Sequence, residues 1–163
     1  MTVKNISSTA MMIVVVVIAT TFMSIPVGNI GYLNMGDCAI LLAAYFFSPY
    51  LMFFIGGIGS ALADLALGFS HYAIISLVAK GMEGFLVALI IKKNNNKYFL
   101  AYLAGISVMA FCYAGADLLV YQNRGIFVSS LMLNYSQGYV ALLVASIILP
   151  FIKKRLLRSN NVG

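Results

Sequence analysis

Long apolar runs divided by short polar breaks set the pattern of this chain. The first run covers about 6–25, behind Lys4, and Pro26, Gly28 and Gly31 then break it, so 26–35 reads as a loop. From Cys38 to Ala63 no charge occurs, a stretch long enough for one tilted helix. Ser48-Pro49 in its middle predicts two instead, because Ser favours the N-cap and Pro the first helical position. The remaining breaks are Gly68 to Ser70, the run Lys92-Lys93-Asn94-Asn95-Asn96-Lys97 and the turn Gln122-Asn123-Arg124-Gly125. The predicted helices are therefore about 6–25, 35–47, 49–68, 71–91, 98–121 and 127–152. No long internal repeat is evident, and the whole of 1–163 reads as a single membrane domain.

Composition narrows the class. Of 163 residues, 63% are hydrophobic and only 14 are charged (ten Lys or Arg, four Asp or Glu). Soluble domains carry roughly a quarter charged residues. An ordinary soluble domain, a disordered chain and a nucleic-acid binder are excluded. The expectation is an all-α integral membrane protein lying in a lipid bilayer. At about 20 residues per crossing the length allows at most about seven helices, with no room for a soluble nucleotidase domain. Nucleotide-driven work would have to come from a partner chain.

Charge placement decides the topology. With six helices and both termini cytoplasmic, Lys4, Lys92, Lys93, Lys97, Lys153, Lys154, Arg155 and Arg158 all lie inside, and Arg124 alone lies outside. That is a strong positive-inside bias. With one helix over 38–63, Lys4 falls on the opposite face. The basic clusters thus answer to topology and lipid headgroups rather than to a specific anion site. Lys4 followed by an apolar run has the charge order of a signal peptide, but no small-x-small cleavage site follows, so a retained first helix is expected.

The remaining charges carry the candidate chemistry. Asp37, Asp64, Glu83 and Asp117 all lie in or beside predicted helices, and Lys80 is the one base within a helix. Ionisable groups in hydrocarbon are costly, which makes each a functional candidate. In the six-helix topology Asp37, Asp64 and Asp117 lie toward the outer face, with Asn134 and Gln137 in the outer half of helix six. Lys80 and Glu83 sit about 13–18 Å below the start of helix four, at 1.5 Å per residue. Lys80 and Glu83, three apart, can share a face as an ion pair or meet a ligand. Tyr32, Tyr72, Tyr113, Tyr121, Tyr135 and Tyr139 accompany them, either as an interfacial belt or as a ring-stacking wall. Tyr113 lies one turn from Asp117 and could stack on a ring that Asp117 binds. His71 reads as a solvated cap. The pattern predicts a wet, mixed-charge pocket open to the outside and suited to a small polar, aromatic ligand. No polar path crosses the inner half, as a free-standing channel would require.

Gly56-x-x-x-Ser60 and Gly59-x-x-x-Ala63 on helix three are small-residue pairs that let helices approach closely, within this chain or against a partner. Cys38 and Cys112 lie in apolar runs and read as small hydrophobes. One His and two Cys give no zinc-type spacing; neither a metal nor a cofactor is expected.

The ordered set Gly31-Tyr32-Leu33-Asn34-Met35-Gly36-Asp37, then Gly56-Gly57-Ile58-Gly59-Ser60-Ala61-Leu62-Ala63-Asp64-Leu65, then Gly68, Tyr72-Ala73 and Lys80-Gly81-Met82-Glu83-Gly84, resembles the substrate-binding S components of energy-coupling factor (ECF) vitamin transporters. The similarity covers about 5–155 and is most specific over 31–84. Within the family it is most similar to the members for pyridoxine-type vitamins or hydroxymethylpyrimidine. The resemblance implies high-affinity vitamin binding on the outer side, with the loop after helix one as a lid. It also implies docking on a membrane scaffold subunit with two cytoplasmic ATPases, and release by toppling in a bacterial cell membrane, with no ATP hydrolysis by this chain. It carries over Asn34, Asp37, Asp64, Lys80 and Glu83 as ligand contacts. Tyr113, Asp117, Asn134 and Gln137 come from depth alone. Helix one lacks the Ala-x-x-x-Ala that many members use for docking, so Ser7 and Ala10, or the helix-three glycines, are the substitutes to consider.

Two other functions compete. A proton-coupled transporter working alone would use Glu83 or Lys80. An intramembrane aspartyl enzyme would pair Asp64 with Asp117, but the Gly-x-Gly-Asp context of such enzymes is missing from both.

Overall fold

The computed structural model describes residues 3–26, 32–94 and 97–160. Gly28 and Gly31 of the expected lid loop, Asn95 and Asn96 of the polar run, and the side chains of Lys4 and Arg158 lie outside the described residues. Six α-helices are present among those described: α1 (Val3–Phe22), α2 (Gly36–Ala43), α3 (Pro49–Leu67), α4 (Ala73–Lys93), α5 (Tyr98–Tyr121) and α6 (Arg124–Asn160). All but α2 are long and apolar enough to cross a membrane. A short antiparallel pair, β1 (Ile25–Pro26) with β2 (Tyr32–Leu33), joins Ile25 to Leu33 and Pro26 to Tyr32; the sequence reads Ile25 as the end of helix one and the rest as plain loop, whereas α1 ends at Phe22.

Local chemistry sets the ends. Ser48 is extended, with ψ 156°, as a residue before proline must be, and Pro49 opens α3. Its hydroxyl makes no capping bond, so proline rather than serine capping starts the helix. Gly68, with φ 83°, closes α3 in the left-handed conformation that glycine adopts without a Cβ penalty. The Phe69 N–H then donates back to the Asp64 carbonyl over 2.8 Å, a Schellman closure. This turn lays the Phe69 ring 5.1 Å from that of Tyr32.

Helix α2 has only eight residues, about 12 Å at 1.5 Å per residue, less than half the hydrocarbon thickness. It sits recessed, and an apolar groove lined by Met12, Ala39, Phe46 and Ile148 runs over it between α1 and α6. Helix α6 instead runs 37 residues, through Pro150 and the basic tail to Asn160. Lys153 rests 4.0 Å over the Tyr45 ring and 5.3 Å over that of Tyr98, tying α6 to the turn after α2 and to the start of α5.

The small-residue face of α3 is used inside the chain. A Cβ on Gly57 would meet the Leu77 carbonyl at 2.5 Å, one on Gly56 the Lys80 carbonyl, and one on Gly59 the Val16 side chain at 2.7 Å. Glycine thus seats α4 and α1 directly on the α3 backbone. The helix-three glycines are not open for a partner, because α1 and α4 cover them. Helix α1 turns Met11, Val14, Val15 and Ile18 outward.

Candidate functional site

At the end of the bundle that carries the β1–β2 pair, the Gly68–Tyr72 turn and the α5–α6 turn, the helices part around a partly open cavity. Its volume is about 60 Å³. Seven of the nine candidate residues line it: Asn34, Asp64, Lys80, Tyr113, Asp117, Asn134 and Gln137. Asp37 and Glu83 do not reach it. They lie behind Lys80, fully buried.

The floor is a charge network. The Lys80 ammonium donates to Asp37 Oδ1 and stands 3.8 Å from Glu83 Oε2. The primary ion pair is therefore Lys80–Asp37, between α4 and α2, rather than the pair three residues apart within α4. Gln137 Nε2 donates to the other Asp37 oxygen over 2.7 Å. Its Oε1 accepts the Asn34 backbone N–H at 2.9 Å, and Asn34 Oδ1 accepts the Gly36 N–H at 2.9 Å at the start of α2. One carboxylate thereby ties α2, α4 and α6 together. Both oxygens of Glu83 lack a hydrogen-bond partner among the described residues.

The walls pair carboxylates with tyrosines. Tyr32 donates to Asp64 Oδ1 over 2.5 Å, and Tyr72 donates to Asp117 Oδ1 over 2.7 Å. Burial, and next the bond to Asp64, hold the Tyr32 phenol well above its ordinary pKa, so it remains a donor. Asp64 and Asp117 each take a tyrosine and, among the described residues, do not bond each other, which is not the arrangement of a proton-sharing dyad. Tyr113 and Ser76 share a 2.6 Å hydrogen bond, and Tyr113 lies 5.7 Å from the Lys80 ammonium across its ring face. Asn134 Nδ2 donates to the Ser130 carbonyl over 2.8 Å. His71 is exposed beside Tyr72.

Sequence reasoning missed Ser76 and Ser130, and counted Tyr32 and Tyr72 only among general aromatics. Both serines were reachable: each lies four residues before a candidate, Lys80 and Asn134, and so on the same helix face. No group of three or more His, Cys, Asp or Glu among the described residues is placed to hold a metal. The chemistry available is hydrogen bonding and ring stacking around a bound molecule.

A family model described as the ECF-type riboflavin transporter S component matches residues 1–154. A protein of Lactococcus lactis subsp. cremoris described as the thiamine precursor transporter HmpT is 32% identical over 127 residues, 78% of this chain and 72% of that protein. An uncharacterized protein of Pyrococcus woesei is 37% identical over 113 residues, 68% of this chain and 76% of its own length.

Proposed function

The chain belongs to the family of ECF-type riboflavin transporter S components, and from its 32% identity to a protein described as a thiamine precursor transporter we propose that its cargo is a thiamine precursor of the hydroxymethylpyrimidine type. As a family member it is a multi-pass plasma-membrane transport protein that binds its substrate and works with ECF scaffold and ATPase subunits; it is not an enzyme. A scaffold with two cytoplasmic ATPases is the assembly proposed, with both termini cytoplasmic and the cavity opening outward.

Cavity size is the observation that carries the substrate reading. A small, partly open cavity of about 60 Å³ suits one six-membered ring with short substituents. Three fused rings bearing a polyol chain would need the walls to move, although the family's description names riboflavin. The relative described as a thiamine precursor transporter points the same way. In this reading Asp64, Asp117 and Asn134 meet the polar edge of the ring and Tyr113 its face. Asp37, Glu83 and Gln137 hold Lys80 and Asn34 in place.

The test is calorimetry on the purified full chain, without ATP, against a panel of B vitamins and their precursors. Hydroxymethylpyrimidine is expected to bind most tightly. Asp117→Asn is expected to weaken it about 10-fold or more, the worth of a hydrogen bond to a charged group. Tightest binding of riboflavin would overturn the substrate, and no binding by any member of the panel would overturn the site.

A further inference from the structure

The apolar groove over α2 plays no part in cargo binding. Its volume is about 480 Å³, against about 60 Å³ for the cavity, so it has room for a chain rather than a ring. It runs from Met23 and Met35 at one end to Met12, Phe46 and Ile152 at the other, and every described residue lining it is apolar, Cys38 included. The groove exists because α2, about 12 Å long, stops short inside the hydrocarbon while α1 and α6 continue on either side. Left empty, it would forfeit dispersion contacts along every wall, and water would find no polar partner there. Its occupant in a bilayer is therefore apolar.

The wall and one end select that occupant. Packing of a second helix favours small residues where the backbones approach. Here the small residues Ala39 and Ala43 form the floor on α2, and the rim carries Met12, Val15, Phe46 and Ile148, which are long or branched. Methionine moulds itself to an irregular, mobile partner. Along α6, Val144, Ile148 and Ile152 line the groove at four-residue spacing. Arg155, three residues further on, continues the same helix face past the groove's end, with Lys154 next to it. Both are exposed, whereas Lys153 is turned onto the Tyr45 and Tyr98 rings. We propose that the groove binds one acyl chain of an anionic phospholipid, whose phosphate is held by Lys154 and Arg155. An apolar track with a basic pair at one end complements a lipid in both charge and hydrophobicity.

The test places the full chain in lipid nanodiscs doped with phosphatidylglycerol or phosphatidylcholine, each carrying a photoreactive diazirine midway along one acyl chain, and maps the adducts by mass spectrometry. Adducts from phosphatidylglycerol are expected to concentrate on groove residues such as Met12, Ala39 and Ile148 rather than on the outward Met11, Val14 and Ile18 of α1. They are expected to exceed those from phosphatidylcholine about 30-fold, the ratio that roughly 1 kcal/mol from each of two basic residues gives. Lys154→Gln with Arg155→Gln is expected to bring that ratio near one. Ala39→Trp, which fills the floor, is expected to remove the groove adducts and leave those on the outward face. Even labelling of groove and outward face, equal groove labelling by the two lipids in the wild-type chain, or a ratio unchanged by the double glutamine variant would overturn the assignment. A groove protected from both lipids in a chain that runs as a dimer would give it to a second copy and overturn it too. Should Ala39→Trp not fold, the wild-type pattern and the double glutamine variant decide.

Discussion

At the scale of single residues, Lys80 and Asp37 matter most to the integrity of the site. Both are buried, and Asp37 also receives Gln137. Removing one member of a buried pair leaves an uncompensated charge and costs about 3–5 kcal/mol, whereas replacing both with neutral groups is often tolerated. Lys80→Met is thus expected to lower the melting temperature of the detergent-solubilised chain sharply, and Lys80→Met with Asp37→Asn and Glu83→Gln to recover most of the loss. Thermal unfolding of the two variants side by side checks this. That Asp37, Asp64, Lys80, Glu83 and Asp117 merited attention was plain in the sequence, since charge in hydrocarbon stands out one residue at a time. Their partners were not. Lys80 lies 43 positions from Asp37 and three from Glu83, and local spacing shows only the second, the longer of its two ion pairs. Ser76 and Ser130 carry no charge, so nothing marks them until helix faces are drawn.

At the scale of elements, close approach of α3 and α4 depends on glycine. Gly84 faces the Met52 carbonyl, where a Cβ would come within 2.8 Å, while a Cβ on Gly115 would meet nothing within 4 Å. Gly84→Ala should push α4 from α3 and destabilise the chain by about 1–3 kcal/mol, as overpacking does. Gly115→Ala should be neutral or slightly stabilising, because alanine is the better helix former. Chemical denaturation of both variants in mixed micelles tests the contrast. Six apolar segments were legible from hydropathy and from Ser48-Pro49. The shortness of α2 was not, since the uncharged residues from Cys38 to Ala63 read the same whether helical or turning. Nor was the β1–β2 pair, whose two-residue strands are far below the length at which alternation shows.

At the scale of the whole molecule, the distribution of basic residues makes an orientation testable. Single cysteines introduced at Lys93 and at Lys154, in a chain with Cys38 and Cys112 replaced by Ala, are expected to be shielded in intact cells from a membrane-impermeant maleimide. One at Arg124 is expected to react. Labelling of the first two from outside would invert the topology. Family membership sets a second expectation: cells that lack the scaffold and ATPase subunits bind the cargo but do not accumulate it, as radiolabelled uptake would show.

The sequence by itself determined the solvent, the number of helices and the family, because each is written in local composition: long uncharged runs, their breaks and an ordered set of small and acidic residues. It also determined that the acidic side chains Asp37, Asp64 and Asp117 lie toward one end of the bundle, opposite the basic clusters, since depth follows from counting along a helix. Tertiary structure alone decided which of them face the cavity and which support it from behind. Asp37 and Asp64 are the same residue type, yet one ties α2 to α4 and α6 from behind Lys80 while the other lines the cavity and holds the Tyr32 hydroxyl. That difference is set by the rotation and approach of neighbouring helices, which depend on contacts between residues far apart in the chain.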